Sequence, residues 1–326
     1  MVMIPQNYIG CDVSKDKLDF FDPQRGGFRQ IRNMPKEIGS FVAGLDGSCD
    51  FVVMEATGHH DRLLRHALAG AGIGFARRNP MQMRRFAQAE GQRAKSDGID
   101  ARMLSRYGER YRPQPDPLPS RERERVAALS RRRDQLVETR AREKRHLGEA
   151  FEDDIIADIK GVIDELSARI DALEKVIAQA VRNADSGTAR DYEILVSAPG
   201  ISLITATALI AHLPELGHRT PKTIASLVGL APFNNDSGKR NGRRAIAGGR
   251  GRVRRALYMA SLSAKARCPR FAAFYQRILA RSGCRKLAIV AVARKLLTVL
   301  NAMLRDQVRF NASPEPEAAA ALAPRN

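Results

Sequence analysis

Between Arg112 and Ser120 the sequence reads RPQPDPLPS, four prolines in nine residues. Proline has no amide hydrogen to donate and clashes with a helix interior, so neither a continuous helix nor a central strand can cross this stretch. The chain must therefore fold as parts, and the boundary of a first domain falls here, giving domains at 1–112, 113–185 and 186–310 with a tail at 311–326. The 326 residues, 44% of them apolar, suffice to bury a core in more than one part.

Upstream of the prolines, YIGCDV (8–13), KLDFFD (17–22) and GFRQIRN (27–33) are short apolar runs separated by tight polar turns, which predicts three strands in a meander. An amphipathic stretch spans Lys36 to Leu45. DFVVME (50–55) predicts a buried strand, 61–71 a helix, IGFARR (73–78) another strand, and Pro80 to about Tyr107 a helical region. The order βββαβαβα is that of a ribonuclease-H-like α/β fold.

Downstream, Arg121 to about Asn183 is charged and helical, with apolar residues at 155, 159, 162, 166, 170, 173, 177 and 180, spaced by threes and fours. This predicts a long helical hairpin or coiled coil. After a polar break, ILVSAPGISLITATALIAHL (194–213) places Pro199-Gly200 between two helical patterns, similar to a helix-hairpin-helix whose turn amides can hold a phosphate. The remainder to about Phe310 is mainly helical around a basic loop, and the Ala- and Pro-rich tail from Asn311 is expected to be disordered.

A formal charge of +19 is self-repulsive without a polyanion, so nucleic acid is the first partner to consider. No run of about 18 apolar residues is evident and no signal peptide opens the chain, so a cytoplasmic, nucleoid-associated protein without a membrane partner is expected. The four cysteines have no CxxC spacing and the six histidines form no ligand set, which excludes a zinc finger.

Two constellations carry chemistry. Asp12 ends the first predicted strand, Glu55 the fourth, and Asp97 and Asp100 open a later helix, three apart and so on one face. Neighbouring strands in a ribonuclease-H-like sheet would let these acids converge, and carboxylate oxygens suit a pair of Mg²⁺ ions about 4 Å apart, the arrangement that assists phosphodiester cleavage. A lone Asp at a strand end is more often a turn former or cap, so the weight lies in all four together. Asp16, Asp19 and Asp22 are rivals to Asp12, set aside because alternation should turn them outward or into a turn. His59 and His60 follow Glu55 and offer either proton transfer or a packing role.

The second constellation is the loop NNDSGKRNGRRAIAGGRGRVRR, where Lys239, Arg240, Arg243, Arg244, Arg250, Arg252, Arg254 and Arg255 follow Ser237 with no acid between the serine and Arg255. Interleaved glycines let guanidinium groups and backbone approach phosphates. Ser237 is a candidate nucleophile, although a Ser-Gly pair in a loop is usually just a turn and a serine needs a base or metal to act.

GCDVSKDKLD (10–19), VMEATG (53–58), NP (79–80), AKSDGIDARMLSRY (94–107), APGIS (198–202), GLAP (229–232), DSGK (236–239) and GGRGRVRRALYMA (248–260) occur in order. Together they resemble the insertion sequence 110-type, or DEDD, transposases over nearly the whole chain. The resemblance implies a RuvC-like domain whose metal-binding acids are Asp12, Glu55, Asp97 and Asp100, and a C-terminal transposase domain whose nucleophile is Ser237. It further implies excision and insertion of double-stranded DNA through a phosphoserine link, guided by an RNA from the element's flanks. His60 departs from the aromatic residue expected after EATG. A homodimer or homotetramer is expected because recombination joins four strand ends, with helices 121–183 the natural assembly element. Two other readings stand beside it: a junction-resolving nuclease that uses water, and a non-enzymatic nucleic-acid-binding protein.

Overall fold

The computed structural model describes residues 5–56, 58–92, 97–233 and 245–311. The chain forms two compact units, Met1–Leu118 and Pro119–Asn326.

The first unit is built on β1 (Asn7–Val13), β2 (Lys17–Asp22), β3 (Gly27–Arg32), β4 (Asp50–Glu55) and β5 (Gly74–Arg78), in the order β3-β2-β1-β4-β5. The first three strands are antiparallel and β4 and β5 run parallel to β1. The meander follows from its turns. Ser14 closes the first with its hydroxyl on Lys17, and Gly26 and Gly27 supply the positive φ angles that the second requires. The parallel pairing of β4 with β1 needs a crossover, supplied by α1 (Pro35–Val42).

Alternation sorts the side chains onto two covered faces. Ile9, Cys11, Leu18, Phe20, Val52 and Met54 meet Ile38 and Phe41 of α1 and Leu64 and Leu68 of α2 (Arg62–Gly70). Tyr8, Phe51 and Val53 meet Met83 and Phe86 of α3 (Pro80–Ala89) and Leu104 and Tyr107 of α4 (Asp97–Tyr111). The helical region expected as one element from Pro80 to Tyr107 is thus interrupted; Gly91, with a φ of 76°, follows the end of α3. Residues 113–118 pack on this unit. The Asp116 amide donates to the Phe75 carbonyl, its carboxylate accepts from the Arg77 amide, and Leu118 joins the α1/α2 side.

The second unit begins with a helical hairpin, α5 (Arg121–Glu149) and α6 (Asp153–Arg182). Arg133 pairs with Glu174 and Arg140 donates to Ser167, so the helices run antiparallel. At its root Val126, Ile177 and Val181 are buried together. Then come α7 (Ser186–Val196), α8 (Leu203–His212), α9 (Pro221–Val228), the two-residue strands β6 (Pro232–Phe233) and β7 (Ala245–Ile246), α10 (Gly251–Arg267), α11 (Pro269–Ser282) and α12 (Arg285–Asp306). The core gathers α7–α12 around Leu195, Leu209, Ile224, Leu257, Phe271 and Leu296. Contrary to the expectation from sequence, α12 is long and apolar enough to cross a membrane by length and composition. Its apolar side chains, Val292, Leu296 and Leu300 among them, are instead buried in this core.

Gly200, in the turn between α7 and α8, has a φ of 82°, and a side chain there would collide with the Ala260 carbonyl of α10. The APG turn therefore lies against a helix backbone. The tail from residue 312 is outside the described residues.

Candidate functional site

β1 carries Asp12 at its C-terminal end on the same face as Tyr8 and Gly10, and β4 carries Glu55 on the same face as Phe51 and Val53. Because Cys11 pairs with Met54 in parallel register, the next positions, Asp12 and Glu55, stand side by side across strands about 4.8 Å apart.

Gly10 sets the height of α4 above them. A Cβ on Gly10 would collide with the Ala101 carbonyl and the Ser105 amide, and the Ser105 hydroxyl donates to the Tyr8 carbonyl at 2.7 Å. Further along, a Cβ on Gly108 would lie 2.7 Å from the Tyr8 side chain. The helix thus lies backbone-to-strand and antiparallel to β1, which brings its first turn, Asp97 to Asp100, to the strand ends where Asp12 and Glu55 sit. Glu55 and Asp100 line one cleft of about 730 Å³ between α3 and α4. Asp97 is the first residue of α4, and its side chain is outside the described residues.

Asp19, set aside at the level of sequence, faces Asp12 directly across the antiparallel pair. It is 9% exposed, bridged to Lys17 at 3.3 Å and hydrogen-bonded by Gln30. The argument from alternation fails because helices cover both faces of the sheet, so no face of β2 is outward. Asp22 lies at the other end of β2, where Arg25 joins it to buried Asp50. Hard carboxylate oxygens on two strands and one helix fit a divalent cation. Among the described residues, no three His, Cys, Asp or Glu side chains stand close enough to hold one.

Asp61 is fully buried between Arg65 and Arg77, and Arg77 also donates to the Gly58 carbonyl, so this network fastens the turn after Glu55. No motif announced it. His59 and His60 stack on each other in that turn, and the His60 carbonyl accepts from Asn33; neither lines the cleft. Directly behind the acids, burial and then the charges of Asp12, Asp19 and Asp61 push the Cys11 thiol well above its ordinary range, leaving it protonated and inert.

In the second unit, Ser237, Lys239, Arg240, Arg243 and Arg244 lie outside the described residues. The ends of their segment meet in the β6–β7 ribbon, with Phe233 opposite Ala245. Below the ribbon, Gly229 and Gly249 approach backbone to backbone, both at positive φ. The four described arginines of the basic loop all have partners inside the protein. Arg250 grips Glu215 with both terminal nitrogens and donates to the His212 carbonyl. Arg252 pairs with Asp134 at 2.9 Å, and Arg254 donates to the carbonyls of Val228 and Gly248. Arg255 meets Glu138 at 3.5 Å with 70% of its side chain exposed, which makes it the most accessible of the four. Beneath them, burial and then the charges of Arg252, Arg131 and Arg250 hold His212 down to about 4.

Two family models match. One, described as a transposase of the DEDD type, spans 9–153; the other, described as the transposase IS116/IS110/IS902 family, spans 192–276. The chain is an IS110-family transposase. Over its length the transposase is similar to the pilin gene-inverting proteins of Moraxella bovis and Moraxella lacunata. Each is 28% identical over 326 aligned residues, covering 94% of this chain and 98% of the relative. An uncharacterized insertion element IS110 protein of Streptomyces coelicolor is 32% identical over 115 residues, 35% of this chain and 28% of that protein. The transposase is therefore a DNA recombinase enzyme, and its DEDD-type domain suggests use of a divalent metal.

Proposed function

We propose that the transposase excises and inserts a mobile DNA element by transesterification, with a RuvC-like carboxylate site acting together with Ser237. What supports the first half is the convergence of Asp12, Glu55 and the first turn of α4 at one end of the sheet, with Glu55 and Asp100 in a single cleft. Asp12, Glu55, Asp97 and Asp100 would hold Mg²⁺, which supplies charge neutralisation at a phosphodiester when bound. The chain's own residues hold those oxygens rigidly, through the Gly10–Ala101 contact and the Asp61 network.

The Ser237 hydroxyl attacks phosphorus and gives up its proton. A phosphoserine bond forms as the bond to the sugar oxygen breaks, and that oxygen leaves with a proton. A hydroxyl of the new strand then reverses the step, so strands are exchanged without an external energy source. Lys239, Arg240, Arg243 and Arg244 hold the phosphates, and an RNA encoded by the element's flanks selects donor and target by base pairing. A homodimer or homotetramer joined through the α5–α6 hairpin brings acids of one subunit to the serine of another.

The test is incubation with Mg²⁺, DNA carrying the joined ends, a target and RNA from the flanks, followed by peptide mass spectrometry of any denaturation-resistant adduct. An adduct on Ser237, lost in Ser237→Ala together with recombination, is expected. Mg²⁺-dependent cutting that persists in Ser237→Ala without an adduct establishes water as the nucleophile and overturns the serine step.

A further inference from the structure

The cleft that holds Glu55 and Asp100 has a second wall. Asn79 caps α3 by accepting from the Met81 amide, which fixes the start of the helix at the mouth of the cleft. Met83 and Phe86 turn into the core, and this rotates the neighbouring stripe of Met81, Arg84, Ala87 and Gln88, at helical spacing, onto the cleft. The two walls differ in chemistry: carboxylates across, and on α3 an exposed thioether, a methyl group, an amide and a guanidinium.

Arg84 is exposed and has no ion pair or hydrogen bond among the described residues, unlike Arg77, Arg78 and Arg110 of the same unit, each paired with an acid. A guanidinium held on a helix across the cleft from Glu55 and Asp100, with no partner among the described residues, matches a planar anion bound bidentately. Met81, 58% exposed, and Ala87 offer a soft apolar surface for the flat part of the same ligand. Phosphate and an apolar face alternate along a polynucleotide, and a cleft of about 730 Å³ between two helices has room for a short single strand and none for a duplex.

We propose that the α3 wall, Met81, Arg84 and Gln88, is the strand-binding side of the carboxylate cleft, receiving one unpaired DNA strand with Arg84 on the phosphate next to the one that lies against the acids. This assignment rests on the carboxylate cleft being the site of strand breakage. It makes the cleft a reader of strandedness, because a paired strand must be peeled from its complement before it enters.

The transposase carries a charge of +19, so bulk DNA affinity reports mostly on other surfaces and a local readout is required. Full-length protein with Met81→p-benzoylphenylalanine is irradiated with end-labelled single-stranded DNA, the same DNA as a duplex, or an RNA strand of the same sequence. A crosslink to single-stranded DNA and none to the duplex is expected. Adding Arg84→Ala should raise the half-saturating DNA concentration for that crosslink about tenfold, the worth of one charge-assisted contact. Arg84→Lys should restore part of it, and the exposed neighbour Arg85→Ala should leave it unchanged.

Equal crosslinking of duplex, a preference for the RNA strand, or equal effects of Arg84→Ala and Arg85→Ala would each overturn the assignment. Neither α3 arginine has a partner among the described residues, so melting curves of both variants should match the parent. Ser237→Ala leaves this crosslink in place; if that variant also recombines, the serine step falls and the cleft assignment stands. Loss of strand selectivity with recombination intact removes the cleft assignment alone.

Discussion

Gly10→Ala is the smallest change that should separate folding from function in this transposase. The added methyl group points at the Ala101 carbonyl and the Ser105 amide of α4, which are backbone atoms and cannot swing aside as a side chain would. Either the helix lifts or β1 bows. Overpacking of this kind costs about 3 kcal/mol, against the 5–15 kcal/mol by which domains are ordinarily stable, so the first unit should remain folded. For a unit of this size that corresponds to a fall of roughly 10 °C in its melting temperature. Lifting α4 also carries Asp97 and Asp100 away from Asp12 and Glu55, and a displacement of about 1 Å at a reacting centre commonly costs 10²-fold in rate. The assay pairs a melting curve with a recombination time course, using Gly39→Ala in α1, where a Cβ meets nothing within 4 Å, as control. Gly39→Ala should leave the rate unchanged and raise stability slightly, since alanine is the better helix former. A Gly10→Ala protein that melts and recombines like the parent would refute the role given to the Gly10–Ala101 contact.

Three further outcomes follow from the geometry. Arg250→Ala should destabilise the second unit by about 2 kcal/mol through the stranded Glu215, with the salt slope of DNA binding unchanged, whereas Arg255→Ala should leave the melting curve alone and lower that slope by about 0.9; salt-dependent anisotropy and calorimetry read both. His212 is held neutral down to about 4, below its usual 6.5, so the unfolded chain binds the extra proton first: stability should be full above pH 6.5 and fall as pH drops toward 4, by up to about 3 kcal/mol, and His212→Gln should flatten urea midpoints over that window. Asp61→Ala removes the buried carboxylate that Arg65 and Arg77 share and should cost about 3–5 kcal/mol in denaturant unfolding, where a loss below 1 kcal/mol would show that the network does not fasten the turn.

The strands were legible because each is a short apolar run between turn formers, whereas the register of β1 with β4 was not, since both strands are apolar on both faces and carry no alternation. Glu55 and Asp12 could be placed at strand ends for the former reason. Asp19 could not, since the rule that polar residues face outward assumes an uncovered face, and whether α4 covers β2 is a tertiary fact. Asp61 was invisible for a related reason: its partners are four and sixteen residues away and share no motif with it. The arginines after Gly249 read as phosphate contacts because charge is local in sequence, whereas their partners Glu215, Asp134 and Glu138 are brought to them only by packing of α5, α8 and α10. The apolar stretch of α12 escaped notice because Arg294 and Lys295 interrupt it, while its average remains high.

The unequal partnership of α5 and α6 has a consequence in time. The first of these helices is strongly polar and emerges from the ribosome with little apolar surface to hide, so it can wait in water without a chaperone. The second brings the apolar stripe, and its partner is already present a three-residue turn away, so the hairpin closes through contacts local in sequence, the fastest kind to form. α7 follows, and α8, arriving after it, finds the side of α5 already fixed.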